Sequence, residues 1–188
     1  MTSHYVDLKV VPDAETTAPA VFGALFDRLH RSMVQRKTDQ IGVSFPDYSV
    51  VPCQLGARLR LHGSEQELAE FMQHDWLRGV RDHVRSSGIC VAPEGVQHRC
   101  VRRRQFKSNI ERLRRRRMKR KGETAEQAAR ALPDSAAEKP NLPYVHLHSL
   151  STGQPFCLFV ALGPLQPEPT PGPFNTYGLG RDATVPWF

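Results

Sequence analysis

Eight histidines are the residues of this chain best suited to moving protons near neutral pH, where an imidazole can act as acid or base. They are His4, His30, His62, His74, His83, His98, His146 and His148. Their spacing alone does not distinguish one of them as a catalytic group.

A metal site is the second chemistry that histidines suggest. His146 and His148 are two apart on a predicted strand, so they share a face and could supply two ligands. A structural site needs more ligands than two, and no clustered carboxylates suggest a two-metal nuclease. The four cysteines lie far apart in the sequence, and no two of them form a CxxC motif: Cys53, Cys90, Cys100 and Cys157. The sequence therefore predicts neither a metal centre nor a disulfide framework, and a reducing cytoplasm fits.

One segment makes the protein basic. Residues 99–121 hold thirteen Lys and Arg against Glu111 alone, a charge of +12, whereas the whole chain carries +7. The rest of the chain is therefore acidic, at −5.

The densest part of this segment predicts a helix of about three turns over residues 109–121. Ser108 and Glu111 form a capping box, and Gly122 stands where a helix end favours glycine. The apolar stripe is too narrow for ordinary core packing; it consists of Ile110, Leu113 and Met118. Cations encircle the remainder: Arg112, Arg114, Arg115, Arg116, Arg117, Lys119, Arg120 and Lys121.

A polyanionic partner is the physical explanation for this helix. Like charges at i,i+4 repel by a few tenths of a kcal/mol per pair, so the isolated helix is destabilised. Phosphates reverse the sign, because bound cations release counterions and arginine bonds phosphate bidentately. The alternative is a solvated surface helix or a localisation signal, but solvated faces normally mix signs. Nucleic acid is favoured, with duplex DNA, RNA and an acidic protein all still open.

The elements that must carry these residues follow a readable order in the first half of the chain. Strands are predicted around residues 6–10, 41–45, 59–61 and 89–91, and helices from about Pro19 and from Ser64. The second helical stretch includes Val84 and is expected to break near His74. The order β-α-β-β-α-β predicts a ferredoxin-like domain over residues 1–95.

The second half predicts a smaller α+β domain over residues 96–188. It comprises a basic strand, the Arg-rich helix, a short helix from Thr124 to Leu132, and a hairpin. The hairpin arms are Tyr144 to Ser149 and Phe156 to Leu162. A proline-rich loop follows, and the aromatic residues at the end of the sequence are expected to pack. With 188 residues and 39% hydrophobic content, the composition is that of a globular protein, with no signal peptide or membrane span evident.

Six stretches, in order across essentially the whole chain, resemble the CRISPR-repeat-processing endoribonucleases of type I-F systems. They are IGVSFP, GARLRLH, QFKSNIERLRRRRMKRK, STGQPF, YGL and VPWF. The resemblance implies a metal-independent RNase without a cofactor. Such an enzyme binds the stem-loop of a CRISPR repeat, cuts at the 3′ base of the stem and stays in a surveillance complex with other subunits. Its products would be a 2′,3′-cyclic phosphate and a 5′-hydroxyl.

The resemblance also assigns roles to residues of the active site. His30, in LFDRLHRSM, matches the catalytic histidine, Ser149 the serine that positions the ribose, and Tyr177 the tyrosine that orients the histidine. Ser151 and Thr152 match a polar turn near the scissile site. From the residues alone, His30 would be a partly buried helix histidine and Tyr177 a packed aromatic.

RNA-binding residues are implied in the same way. Arg116, Lys119 and Arg120 would face the major groove of the stem, within a basic helix that also carries Arg114 and Arg115. Arg103 and Gln105 would contact base edges at the lowest pairs, and Phe156 would stack on the terminal pair. Lys119 replaces the arginine that the family carries, which predicts weaker specificity rather than lost binding. A repeat-binding subunit without turnover is the rival function, and a DNA-binding regulator is a third.

Overall fold

The computed structural model describes residues 2–106, 109–149 and 152–188. It has mixed α and β architecture, which confirms the predicted α+β class. Two compact units make up the chain: one comprises Met1–Arg104 with Leu142–Phe188, and the other Gln105–Asn141. No helix of the described residues has the length and apolar character needed to cross a membrane.

The larger unit begins with a sheet and two helices. In chain order the elements are β1 (His4–Val10), α1 (Ala18–Arg36), β2 (Gly42–Ser44), β3 (Ser49–Val50), β4 (Cys53–Gln54), β5 (Arg58–Gly63), α2 (Glu65–Met72), β6 (Val84–Ser86) and β7 (Cys90–Val91). The first sheet has the order β2-β5-β1-β6, with β7 also on β1, and its pairs are antiparallel. Strands β3 and β4 form a separate two-stranded ribbon.

Hydrophobic periodicity explains how this sheet meets its helices. Val6, Leu8 and Val10 alternate along β1 and are buried, as is the stripe of α1 that includes Leu25 and Leu29. Period 2 on the strand and period 3.6 on the helix each give one continuous apolar face, so the two faces pack into one core.

Helix α2 starts after Ser64, as predicted, and a capping box holds this end: Ser64 Oγ accepts the Glu67 N–H and the Glu67 carboxylate accepts the Ser64 N–H. The predicted break near His74 is also confirmed, because α2 ends at Met72. The helical prediction at Val84 is wrong. A single 3-10 turn at Arg81–His83 leads into β6, where Val84 pairs with Val10 and packs against the core.

A second sheet completes the larger unit. Its strands are β8 (Gln97–Arg104), β9 (Tyr144–His148), β10 (Pro155–Gln166) and β11 (Val185–Trp187), in the order β11-β8-β10-β9. The predicted hairpin is confirmed as β9 and β10, although β10 continues past Leu162 across an irregularity in register. Val145, Leu147, Leu158 and Val160 point to the buried face, and the alternating residues point away from it.

The aromatic end of the sequence packs, as predicted. Arg60, only 4% exposed, lies on β5 and binds the Asp7 carboxylate through Nε and Nη2, at 2.6 and 2.9 Å. Its Nη1 donates to the Phe188 carbonyl at 2.9 Å, and its guanidinium lies over the rings of Tyr5 and Phe188. A buried charge is stable only when it is paired and hydrogen-bonded, and the guanidinium of Arg60 meets this condition through Asp7 and Phe188. The same contacts hold residue 188 against the first sheet.

The smaller unit contains two helices, α3 (Ile110–Lys121) and α4 (Ala125–Ala131). Both helices lie where the sequence predicts them. The cap observed for α3 is Asn109, whose side chain accepts the Arg112 N–H at 2.8 Å, and the predicted cap Ser108 lies outside the described residues. Gly122, with φ of 67°, ends α3 as predicted.

Burial of His62 predicts an acid-sensitive step in stability. Its ring is fully buried on β5, Nε2 is 2.8 Å from Ser44 Oγ, and Nδ1 has no partner among the described residues. Burial, with Arg60 and His98 nearby, lowers the pKa of His62 from 6.5 to about 3. Between these values the unfolded chain binds the proton and the folded chain does not, so acid favours unfolding.

We expect the free energy of unfolding to fall by about 1.5 kcal/mol between pH 6.5 and 5 on account of His62. Urea titrations at the two pH values measure this free energy. Both pH values lie above the range in which most carboxylates titrate, so the carboxylates contribute little to the difference. His62→Gln should remove this part of the pH dependence, and His74→Gln, at an exposed position, should not. An unchanged pH dependence in His62→Gln would contradict the assignment.

Candidate functional site

His30 and Tyr177 form the centre of the candidate site. Phe26 and His30 are one turn apart on α1, and the Tyr177 ring lies parallel to both. The ring centroids of His30 and Tyr177 are 3.9 Å apart, with an angle of 10° between the planes. The helix thus presents the imidazole with one face already covered, which restricts its rotation.

One hydrogen bond fixes the tautomer of His30. Its Nδ1 is 2.8 Å from the backbone oxygen of Thr176, and a carbonyl oxygen can only accept. Nδ1 must therefore carry the proton, which leaves the lone pair of the neutral ring on Nε2. A half-buried imidazole held in this state can accept a proton at Nε2.

The loop that carries Thr176 and Tyr177 is a tight turn. The Asn175 side-chain oxygen accepts the N–H groups of Tyr177 and Leu179, at 2.8 and 3.2 Å. Gly178 has φ of 71°, and a Cβ there would lie 2.5 Å from a Val43 methyl carbon. Only glycine fits, and the Val43 N–H donates to the Gly178 oxygen at 2.8 Å, which fixes the turn to β2.

Tyr177 remains neutral at physiological pH. Burial raises the pKa of its phenol above the ordinary value of 10.0, with Asp27 adding to the rise and Arg103 opposing it. The tyrosine therefore contributes a flat, uncharged surface to His30.

Arg103 lies between two aromatic rings. Its guanidinium carbon is 5.6 Å from the Phe156 ring centroid and 6.0 Å from that of Tyr177, within the range of cation–π contact. The side chain is exposed and Phe156 is half-buried. The structure thus brings together four of the predicted residues, His30, Tyr177, Arg103 and Phe156, although their RNA contacts stay predictions.

Ser149 and Thr152 lie at the turn end of the β9–β10 hairpin. The Ser149 hydroxyl accepts the Thr152 N–H at 3.3 Å, and the Ser149 N–H donates to Gln154 at 2.9 Å. Ser149 continues the face of β9 that carries Val145, and β9 packs against α1 at Gly23. The alternation therefore directs Ser149 to the helix side of the sheet. Ser151 lies outside the described residues.

The cations of α3 divide into two groups. Six are exposed to solvent, and five of these share one broad face at helical spacing: Arg112, Arg115, Arg116, Lys119 and Arg120. The sixth, Lys121, lies on the opposite side of the last turn. This group contains Arg116, Lys119 and Arg120, which the sequence predicts as groove-facing, together with Arg115. Gln105, predicted to read a base, is also exposed.

Arg114 and Arg117 are half-buried and engaged within their own unit. Arg114 pairs with Glu111 and Asp134 at 2.6 and 2.9 Å, and its Nε donates to the Leu132 oxygen. Arg117 pairs with Glu123, at 2.5 and 3.0 Å, and so lowers the pKa of that carboxyl. Arg114 was predicted to bind RNA, and these contacts indicate that it also holds α3 to the segment after α4.

Metal-binding geometry does not emerge from the described residues, none of which form a group of three His, Cys, Asp or Glu side chains suited to an ion. His146 and His148 lie on the exposed side of β9. The Nδ1 of His146 is 3.6 Å from Cys157 Sγ on the neighbouring strand. Burial raises the pKa of that thiol, so it is protonated at neutral pH.

Sequence reasoning missed the backbone partner of His30 and the role of Asp27. The Thr176 oxygen has no signature of its own, although Asn175 and Gly178 are typical turn residues and could have indicated the turn. Asp27 is one turn before His30, pairs with Arg31 at 2.7 Å and acts on Tyr177 electrostatically. Its carboxylate is thus part of the site's charge balance.

Comparison of the sequence with known proteins places this chain in a family. The family described as CRISPR-associated protein (Cas_Csy4) matches residues 5–188. The "CRISPR-associated endonuclease Cas6/Csy4" of Pseudomonas aeruginosa (strain UCBPP-PA14) is 43% identical over 185 residues, covering 98% of this chain and 99% of that protein. The protein of the same name from Escherichia coli (strain UTI89 / UPEC) has the same identity and coverage. The chain therefore belongs to the Cas_Csy4 family of CRISPR-associated proteins.

Proposed function

We propose that this protein is a metal-independent endoribonuclease that binds the stem-loop of a CRISPR repeat and cleaves it at the 3′ base of the stem. Two relatives, each matched over almost their whole length, are named CRISPR-associated endonucleases, which supports an enzyme. The observation that carries the chemistry is the hydrogen bond from His30 Nδ1 to the Thr176 oxygen, because it leaves Nε2 as a proton acceptor.

The proposed reaction uses the nucleophile that RNA itself carries. His30 Nε2 takes the proton of the 2′-hydroxyl next to the scissile phosphate, and the 2′-oxygen forms a bond to phosphorus. The bond from phosphorus to the 5′-oxygen breaks, and that oxygen takes up a proton from the imidazolium or from water. The products are a 2′,3′-cyclic phosphate and a 5′-hydroxyl, with no net redox change. Ser149 would position the attacking ribose.

Tyr177 is proposed to act through His30. Its ring stacks on the imidazole, and the turn that carries it also provides the Thr176 oxygen. One loop therefore restrains both the plane and the tautomer of the His30 ring. Holding a general base in the geometry that the reaction requires accounts for a large part of the rate enhancement in many enzymes. Tyr177 is a positioning residue in this mechanism.

RNA binding is proposed for two sets of side chains. The exposed face of α3 supplies dense positive charge for phosphates, in keeping with the strength of arginine–phosphate bonds. Arg103 and Gln105 are proposed to reach base edges at the foot of the stem, and Phe156 to stack on its last pair. The two rings beside Arg103 support its part, because they hold the guanidinium on a flat surface.

Two broader proposals accompany this one. The ferredoxin-like assignment of the first domain is supported by the antiparallel order β2-β5-β1-β6, with α1 and α2 as its connections. Retention of the product within a type I-F complex, beside other subunits, is proposed from the family resemblance, and tight phosphate binding by α3 would favour it.

Cleavage should depend on the RNA hydroxyl and not on divalent ions. We expect a repeat stem-loop to be cut at the same rate in excess EDTA. Replacing the scissile 2′-hydroxyl by hydrogen should abolish cutting and leave affinity unchanged. Denaturing gels and filter binding measure the two quantities, with a deoxy substitution elsewhere in the stem as the matched control.

The rival functions give other results. Retained binding with no cut of the all-ribose RNA would favour a capping subunit without turnover. Loss of cutting in EDTA that magnesium restores would contradict metal independence. Tighter binding to duplex DNA than to the stem-loop would favour a DNA-binding regulator.

A further inference from the structure

The proposed reaction develops negative charge on the scissile phosphate. Bond formation between the 2′-oxygen and phosphorus concentrates charge on the non-bridging oxygens of that phosphate in the transition state. His30 is proposed to accept a proton, and Ser149 and Tyr177 to position groups, so none of the three brings a fixed positive charge to these oxygens. Enzymes stabilise such charge with a cation or hydrogen-bond donor that is already in place, which directs attention to the cations next to His30.

Arg31 is the cation that α1 places next to His30. Its Nη2 lies 2.7 Å from a carboxylate oxygen of Asp27, one turn earlier on the helix. Side chains of an α-helix lean toward its N-terminus, so Arg31 extends back beside the row formed by Phe26 and His30. The Tyr177 ring lies on that same row. The guanidinium is therefore next to the stacked rings and not on the far side of α1.

The electrostatic effect of Asp27 supports the same placement. Burial raises the pKa of the Tyr177 phenol, Arg103 opposes this rise, and the Asp27 carboxylate adds to it. Charges near a protein surface are screened beyond about 10 Å, so the carboxylate lies close to the tyrosine ring. Because Arg31 is bonded to that carboxylate, its guanidinium lies at the same edge of the candidate site.

Arg31 keeps most of its hydrogen-bonding capacity for a ligand. A guanidinium has five N–H donors, and the pair with Asp27 uses one of them. Within the part of the chain that the structure describes, no other side chain takes up the rest. The side chain of Arg31 is 47% exposed, whereas that of Asp27 is 21% exposed. The carboxylate thus anchors a guanidinium whose remaining donors can reach a substrate.

An anchored guanidinium suits a charge that appears only in the transition state. Asp27 holds it in place before RNA binds, and arginine forms short, strong hydrogen bonds to phosphate oxygens. A surface ion pair of this kind contributes little to stability, so folding gives little reason for its position beside His30. We propose that Arg31 bonds a non-bridging oxygen of the scissile phosphate and stabilises the transition state of cleavage, with Asp27 as its positioning residue. This inference rests on the proposed function, because it takes His30 to act at the scissile phosphate.

The test begins with Arg31→Gln, which removes the charge and keeps helix propensity close to that of arginine. We expect single-turnover cleavage of a repeat stem-loop to slow by about 10²-fold, as when one oxyanion-stabilising donor is lost. Affinity for the same RNA with a 2′-deoxy scissile nucleotide should stay near the wild-type value, because α3 is proposed to supply binding. Arg31→Lys keeps the charge without the planar fork and should recover part of the rate.

Arg28→Gln is the matched control. Arg28 is an exposed arginine of α1, two residues from both Phe26 and His30, so helical geometry puts it on the side opposite the Tyr177 ring. This variant removes the same charge from the same helix and should cleave at the wild-type rate.

A sulfur substitution reports on the phosphate contact itself. Sulfur in place of one non-bridging oxygen should slow the wild-type protein more for one diastereomer than for the other, because an N–H group bonds sulfur weakly. Arg31→Gln should lose most of this preference, whereas a merely structural defect would slow both diastereomers alike. Asp27→Asn should slow cleavage less than Arg31→Gln, and it should have no further effect in the Arg31→Gln background.

Four outcomes would overturn the inference. Arg31→Gln would cleave at the wild-type rate, would lose affinity by the same factor as rate, or would keep the full diastereomer preference; or the effects of Asp27→Asn and Arg31→Gln would simply add. In each of these the wild-type protein still cuts the stem-loop, so the proposed function stands. A wild-type protein that binds the stem-loop without cutting it would instead contradict the proposed function and this inference together.

Discussion

His30→Ala is expected to slow cleavage of a repeat stem-loop by about 10²–10⁴-fold, the usual contribution of a positioned acid or base. Affinity for the same RNA should stay near the wild-type value, because the imidazole is proposed to act on one proton and the cations of α3 to supply binding. Single-turnover rates measure the first quantity and filter binding with a 2′-deoxy RNA the second.

The matched control is His74→Ala, since His74 is exposed and follows the end of α2. It should cleave and bind as the wild-type protein does. Free imidazole added to His30→Ala should restore part of the activity, an effect that a purely structural histidine would not produce. A large loss of affinity in His30→Ala, or no loss of rate, would remove His30 from the role of general base.

Much of the first sheet could be predicted because its signals are local. Val6, Leu8 and Val10 alternate within one strand, and Ser64 with Glu67 forms a capping box within one turn. The hairpin of β9 and β10 was predictable for the same reason. Each of these patterns is complete within a few residues and is then reinforced by burial.

The errors have a different origin. Val84 continues the apolar spacing of a helix, yet it pairs with Val10, more than seventy residues earlier, and this sheet contact overrides local propensity. The short ribbon β3–β4 contains only two residues per strand, which gives no period to detect. Long-range pairing is not encoded in the spacing of either segment.

The candidate site shows the same limit. Among eight histidines, only contacts distinguish His30, and its hydrogen-bond partner lies 146 positions away in the chain. Without the resemblance, the spacing of the histidines offers no reason to choose His30 over His146 or His148. The cations of α3 were found at once from composition, but not their division into exposed residues and the internally paired Arg114 and Arg117.

That division leads to the second large effect, on the salt dependence of RNA binding. Arg116 and Arg120 are exposed, one turn apart on α3, and no described carboxylate pairs with either of them. If both contact phosphates, the double substitution to glutamine should lower the slope of log affinity against log salt by about one unit per lost contact. Glutamine keeps helix propensity close to that of arginine, so α3 itself should persist.

Matched controls separate phosphate contacts from general charge. Replacing Arg78 and Arg85 by glutamine removes the same charge from exposed positions outside α3 and should leave the slope almost unchanged. Arg117→Gln removes a cation of α3 that already pairs with Glu123. It should therefore lower the helical content of the protein and leave the slope of log affinity against log salt almost unchanged. A cation that contacts phosphate releases counterions, whereas a cation that is merely near the RNA does so weakly. Equal slopes in the wild-type protein and in the double glutamine variant would therefore place Arg116 and Arg120 outside the interface.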